Sequence, residues 1–146
     1  IKLILVGNRF GHHADKHIEK IIAEQNIKDS VIFPGFIDQK DLPSVIRLAC
    51  VFAFPSLYEG FGIPLLEAMS QRVPIVASDI PSLRETAEDA AIYFDPTDIA
   101  NCEEKLYTLI VDKKQREALT ERGKERLRSF SWQKSAELLL EAYNTL

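Results

Sequence analysis

Five short apolar runs, each closed by a turn signal, govern what this chain can fold into. They are Lys2 to Val6, Val31 to Phe33, Val51 to Phe54, Pro74 to Ala77 and Ala91 to Phe94. Between them lie residues at helical spacing. Ile18, Ile21 and Ile22 mark a helix from about Ala14 to Gln25. Leu42, Val45, Ile46 and Leu48-Ala49 mark another that begins at Asp38 to Asp41, and a short helix is expected near Leu83 to Ala87. Apolar strands separated by helices make βαβ units with right-handed crossovers. The prediction is an α/β fold: a parallel sheet with helices on both faces. A helical tail follows, marked by Ile99, Leu106, Leu109 and Ile110, then by Ala118 and Leu119 to Leu127. Ser131 is a good N-cap for a third tail helix carrying Trp132, Ala136, Leu139, Leu140 and Tyr143. Such sheets bind ligands at the carboxyl ends of their strands. The loops that matter are therefore Gly7 to His13, Pro34 to Asp38, Pro55 to Gly62 and Ser78 to Ser82.

The 146 residues, 46% hydrophobic and 27% charged, suit one soluble domain. A net charge of −4 argues against a general nucleic-acid binder, which needs a basic excess. No apolar run is long enough to cross a membrane. Ile1 to Val6 has the pattern of a strand and lacks that of a cleavable leader; it opens in mid-element, so a piece of something longer is expected. Cys50 and Cys102 lack metal-ligand spacing and are expected as buried thiols in a reducing compartment.

The richest stretch runs from Phe54 to Met69. A strand end enters a loop bracketed by Gly60 and Gly62, and a helix follows with Pro64 in its first turn. The two glycines let backbone come close to a ligand, and free N–H groups at a helix start favour an anion or an oxygen-rich ligand. Glu59 and Glu67 flank that start and could grip hydroxyl groups. The plainer reading is also open: Glu67 as a first-turn carboxylate that complements the helix dipole, and Glu59 as a solvated loop residue.

Glu59-Gly60-Phe61-Gly62 followed by Glu67-Ala68-Met69 resembles the E-x7-E signature of glycosyltransferase family 4, the retaining nucleotide-sugar transferases also called group 1. Leu5-Val6-Gly7, Val31 to Phe36, Phe54-Pro55-Ser56, Pro74 to Ser78, Phe94-Asp95-Pro96 and Phe130-Ser131-Trp132 fit the same pattern in order. The resemblance covers nearly the whole chain. It implies a Rossmann-like lobe of the GT-B fold, with residues 1–146 forming the carboxyl-terminal, nucleotide-sugar-binding lobe, incomplete at its N-terminal edge.

The resemblance also implies roles. Glu59 would be catalytic, contacting donor-sugar hydroxyls and stabilising charge at the anomeric carbon. Gly60, Phe61, Gly62 and Leu66 would bind donor sugar or phosphate through backbone groups, and Glu67 the ribose. Phe36 and Ile37 would line the base-side loop and Gly7 the first loop. The family generally needs no metal and no cofactor, and its front-face mechanism needs no protein nucleophile. Implied partners are a nucleotide-diphosphate sugar (GDP-mannose or UDP-hexose), the missing amino-terminal acceptor lobe, and a glycan or lipid-linked acceptor. The implied setting is cytoplasmic, with room for membrane association through the missing lobe. In one respect the chain departs from the family. The Arg and Lys that usually hold the diphosphate should precede Ile1, and Arg9 is no obvious replacement. The fragment alone is accordingly expected to be inactive.

Duller expectations attach to other residues. His12 and His13 fit solvated loop histidines, and Lys113 to Arg128 a solvated amphipathic helix. Trp132 should pack behind the helix cap, and Arg84 and Glu85 should serve in an ion pair or cap. Tyr58 could line the sugar pocket or close the strand end. Two competing functions share the fold. A nucleotide-sugar epimerase lobe has no obvious claim to Glu59-Gly60-Phe61-Gly62. A non-catalytic regulatory domain of receiver type would want acids after the first strand, where Gly7-Asn8-Arg9 stands.

Overall fold

The computed structural model describes residues 1–7 and 16–145. They divide into two compact units, Ile1–Leu42 and Pro43–Leu146. In the first, β1 (Leu3–Val6) and β2 (Val31–Gly35) pair in parallel, Leu3 opposite Val31 and Ile4 opposite Ile32. The register then slips, so that Val6 faces Gly35. α1 (Lys16–Glu24) and a 3-10 turn (Lys28–Ser30) lie between the two strands in sequence. Burial of β1 on both faces does not hold, since Leu3 is 50% and Val6 49% exposed. One helix and one short turn offer too little apolar surface to cover both faces of two strands.

The next helix is shorter than its apolar spacing suggests. Asp38 to Asp41 form a turn, with Asp41 and Leu42 N–H donating to the Asp38 carbonyl at 2.9 and 3.0 Å. α2 then covers only Leu42–Arg47. Pro43 explains the late start. It has no N–H to give, so it fits the first turn of a helix and would break a longer one.

The second unit holds β3 (Phe52–Phe54), β4 (Ile75–Ser78) and β5 (Ala91–Phe94), paired in parallel in that order. Ala53 faces Val76, and Val76 faces Ile92. α3 (Ile63–Ser70) and α4 (Pro81–Ala87) form the two crossovers. α5 (Ile99–Val111), α6 (Lys113–Leu127) and α7 (Trp132–Asn144) make the predicted tail. Every residue of β4 is buried, as expected of a central parallel strand flanked by helices. Val76 packs with Phe94, Leu109 and Leu119, which ties the sheet to α5 and α6. Gly123 of α6 lies against Met69 of α3, where an added Cβ would sit 3.1 Å from Met69 Cγ.

Asp98, Asp112 and Ser131 cap α5, α6 and α7, each accepting from an N–H three residues on, at 3.0, 2.9 and 3.0 Å. Arg116 closes the other end of α5 by donating to the Leu109 and Ile110 carbonyls. Two expectations fail here. Trp132 is 86% exposed, because α7 buries none of its residues and gives its first residue nothing to pack against. Phe130 packs instead, edge to face with Phe61 at 5.8 Å. Cys50 is exposed because it lies in the turn between α2 and β3, while Cys102 is half-buried, and burial pushes its thiol up.

Candidate functional site

In the second unit the stretch from Phe54 to Met69 takes the predicted form: strand end, loop, helix at the carboxyl edge of the sheet. Gly62 is the N-cap of α3, with φ 87° and ψ 45°. That left-handed conformation suits glycine. A second reason for glycine is steric, since an added Cβ would lie 2.5 Å from Leu83 Cδ2. Gly60 has neither constraint, with nothing within 4 Å of an added Cβ. Pro64 stands in the first turn of α3, and Leu65 N–H returns to the Gly62 carbonyl at 2.9 Å. The N–H groups of Gly60, Phe61, Gly62 and Ile63 donate to no described residue. These are the unsatisfied donors a helix start provides.

The two acids differ. Glu59 is half-buried and accepts a hydrogen bond from Ser56 Oγ at 3.0 Å. It is a held carboxylate, against the plainer reading of a free loop residue. Glu67 is the fifth residue of α3, beyond the first turn, so the dipole reading fails for it. It shares a stripe with Ile63, Leu66 and Ser70, while Leu65, Ala68 and Met69 bury the opposite side. Helical side chains lean toward the N-terminus, so the Glu67 carboxylate lies over the turn that begins at Ile63. Glu59, the loop amides and Glu67 thus fall in one stretch of chain around the start of α3. Tyr58 is exposed and does not close the strand end.

A set of contacts behind the loop was not foreseen. Thr86 Oγ1 donates to the Phe61 carbonyl at 2.5 Å, and Leu83 fills the space beside Gly62. Arg126 donates to the Thr86 carbonyl (2.9 Å) and the Glu85 carbonyl (2.6 Å), and pairs with Glu88 (2.9 Å). Its guanidinium lies 4.7 Å from the centre of the Phe130 ring, against which Phe61 rests. At the same edge, Arg84 holds Asp79 by two hydrogen bonds, the ion pair expected for it, and stacks over Tyr93 at 4.5 Å. That contact holds the Asp79 carboxyl below the usual carboxylate range.

In the first unit, Gly7 N–H donates to the Gly35 carbonyl at 3.2 Å, so Gly7 adjoins the end of β2. Gly35 takes φ 78°, and Phe36 and Ile37 follow directly, Phe36 exposed and Ile37 half-buried. Phe36, Ile37 and Gly7 thus gather at the carboxyl ends of β1 and β2. Arg9, His12 and His13 lie outside the described residues. Two concave surfaces of the second unit are lined by neither Glu59 nor Glu67. One of about 510 Å³ is lined by Pro55, Phe94, Ile99, Cys102 and Leu106, and one of about 340 Å³ by Cys50, Arg72, Lys113 and Arg116 among others. The loop and acids form an open edge.

Residues 1–126 match the family Glycosyl transferases group 1. The chain belongs to the group 1 glycosyltransferases. The O-antigen chain mannosyltransferase B of Escherichia coli is 38% identical over 112 residues, 77% of this chain and 29% of that protein. The MMP alpha-(1->4)-mannosyltransferase of Mycolicibacterium hassiacum is 33% identical over 129 residues, 86% of this chain and 31% of the relative. The matched stretch thus spans about a third of these relatives. Among solved structures, sucrose-phosphate synthase from Thermosynechococcus elongatus superposes with a TM-score of 0.87 at 29% identity, covering 99% of this chain and 38% of that one. The C-terminal domain of a group 1 family glycosyl transferase from Francisella tularensis gives 0.69 at 28% identity, covering 78% and 60%. The fold is that of a Rossmann-like lobe of GT-B glycosyltransferases, as expected.

Proposed function

We propose that this chain is the carboxyl-terminal, donor-binding lobe of a retaining glycosyltransferase. The whole protein would move a hexose from a nucleotide-diphosphate sugar to a glycan or glycolipid acceptor held by a partner lobe. The observation that carries the reading is the edge at α3. There a Ser56-held Glu59, N–H groups of Gly60 to Ile63 that donate to no described residue, and Glu67 follow one another around the start of the helix. Support comes from the similarity to mannosyltransferases and to a solved C-terminal domain of this family. Mannosyltransferases among the relatives favour GDP-mannose over UDP-hexose as the donor, and O-antigen assembly favours polysaccharide biosynthesis.

In this reading each group has one task. Glu59 accepts from donor-sugar hydroxyls and offsets positive charge at the anomeric carbon. The Phe61 and Gly62 N–H groups, with Leu66 behind them, take the diphosphate oxygens as charge builds on the leaving group. Glu67 accepts from the two ribose hydroxyls. The departing diphosphate accepts the proton of the attacking hydroxyl on the same face, so the chain supplies no nucleophile. Neither a resident metal nor a cofactor has a part in it. Alone, the chain binds the donor and does not transfer it.

Titration calorimetry with GDP, UDP and their sugars tests this. Binding of one nucleoside diphosphate is expected, and Glu67→Ala should weaken it by about tenfold, the loss of one charge-assisted pair of hydrogen bonds. Absence of any nucleotide binding, or a Glu67→Ala chain with the parent's affinity, refutes the assignment.

A further inference from the structure

We propose that Thr86 is a positioning residue for donor binding, acting through the peptide that joins Phe61 to Gly62. The proposal rests on the donor-site reading above and deepens it. Thr86 is 1% exposed, yet its hydroxyl reaches across 25 residues of sequence to the Phe61 carbonyl. A trans peptide is planar, with its C=O and N–H on opposite sides, and no cis bond occurs among the described residues. Holding the Phe61 carbonyl toward α4 therefore turns the Gly62 N–H away from α4. That N–H is one of the open donors at the start of α3.

The support does not end at Thr86. Arg126 donates to the carbonyls of Glu85 and Thr86, which fixes the last turn of α4 against the end of α6. The same guanidinium stacks on Phe130, and Phe130 meets the Phe61 ring at 80°. The residue between the two loop glycines is thus held twice, by its carbonyl and by its ring. Leu83 closes the space beside Gly62. Such support lets loop donors meet an anion without first being reordered, and that is where a buried hydroxyl affects affinity. A hydroxyl serving only the fold would show itself in stability instead.

Thr86→Val keeps the shape and removes the donor; Thr86→Ser keeps the donor and removes the methyl. Both chains and the parent are titrated with GDP and UDP, and their urea midpoints are measured. The Gly62 amide resonance is followed without ligand. Thr86→Val is expected to fold, to shift the Gly62 resonance, and to weaken the nucleotide that the parent binds by about tenfold. Thr86→Ser should stay within about twofold of the parent. The proposal is overturned if Thr86→Val binds like the parent, if Thr86→Ser is as weak as Thr86→Val, or if Thr86→Val fails to fold. A parent that binds neither nucleotide overturns the donor-site reading and this inference together; parental affinity retained in Thr86→Val overturns this inference alone.

Discussion

Replacing Gly62 by alanine sets two penalties against one gain. The residue sits at φ 87°, where an L side chain costs about 1–2 kcal/mol. The new Cβ would lie 2.5 Å from Leu83 Cδ2, and Leu83 is fully buried, so it cannot swing into solvent. Relieving that overlap costs about 1–3 kcal/mol. Alanine also restricts the unfolded chain, which returns about 0.4–1 kcal/mol. The expected net loss is about 1–5 kcal/mol. Gly60→Ala is the internal control, because Gly60 has no positive φ and nothing near its missing Cβ. It should stay within about 0.5 kcal/mol of the parent. Urea unfolding followed by circular dichroism measures both, and the melting temperature should fall by roughly 2–4 °C per kcal/mol lost. Equal stability of the Gly62→Ala and parent chains would show that Leu83 yields freely and the loop is not locked. An equal loss in Gly60→Ala would show that the loop is constrained somewhere other than at Gly62.

Asp98→Ala should cost about 1 kcal/mol, because the Asp98 carboxylate caps α5 by accepting from Asn101 N–H; an unchanged urea midpoint would refute that role. Tyr93 gives a pH signature. Burial pushes its phenol up to about 12 from 10.0, with the Arg84 guanidinium above the ring opposing. The unfolded chain loses the proton first, so the stabilisation is fully present below pH about 10 and is lost as pH rises through about 12. The parent should lose stability relative to Tyr93→Phe across that window, and a constant difference between the two chains would contradict it.

Much of the second unit was legible because its signals are local. β4 and β5 announce themselves as apolar runs that end at Ser78-Asp79 and Asp95-Pro96, and Ser131 caps α7 three residues ahead of its acceptor's partner, Lys134. The loop and helix at Gly62 follow from residues that are neighbours in the chain. What was missed depends on contacts that spacing does not encode. Thr86 meets Phe61 from 25 residues away, and Arg126 reaches Thr86 from 40. Neither has a mark in the sequence: Thr86 follows Arg84 and Glu85, and Arg126 is one charged residue among many in α6. Trp132 is expected to pack because it follows the Ser131 cap, but burial is decided by what lies opposite, and α7 buries none of its residues. The overestimate of α2 is of a different kind. Pro43 was visible, and its preference for a first turn outweighs the apolar periodicity that ran through it.

The two acids at the edge are prepared to different degrees, and this bears on how the site would discriminate. Glu59 already accepts from Ser56, so its orientation is fixed before any ligand arrives, as charge stabilisation at a reacting carbon demands. The Glu67 carboxylate has no hydrogen bond or ion pair to a described residue, although the Glu67 carbonyl accepts from Ser70 Oγ, and the residue lies half-buried on a helix rather than in a loop. Its backbone is fixed by the helix while its carboxylate is unpaired among the described residues, which on the proposed reading suits a group that accepts two hydroxyls at once. Rigidity is thus concentrated at the loop, where Leu83, Thr86 and Phe130 stand behind Phe61 and Gly62. A ligand that needs the N–H groups of that loop meets donors whose ordering entropy was spent in folding, and one that needs Glu67 alone does not. On the donor-site reading proposed above, the edge should therefore discriminate more sharply at the diphosphate than at the ribose.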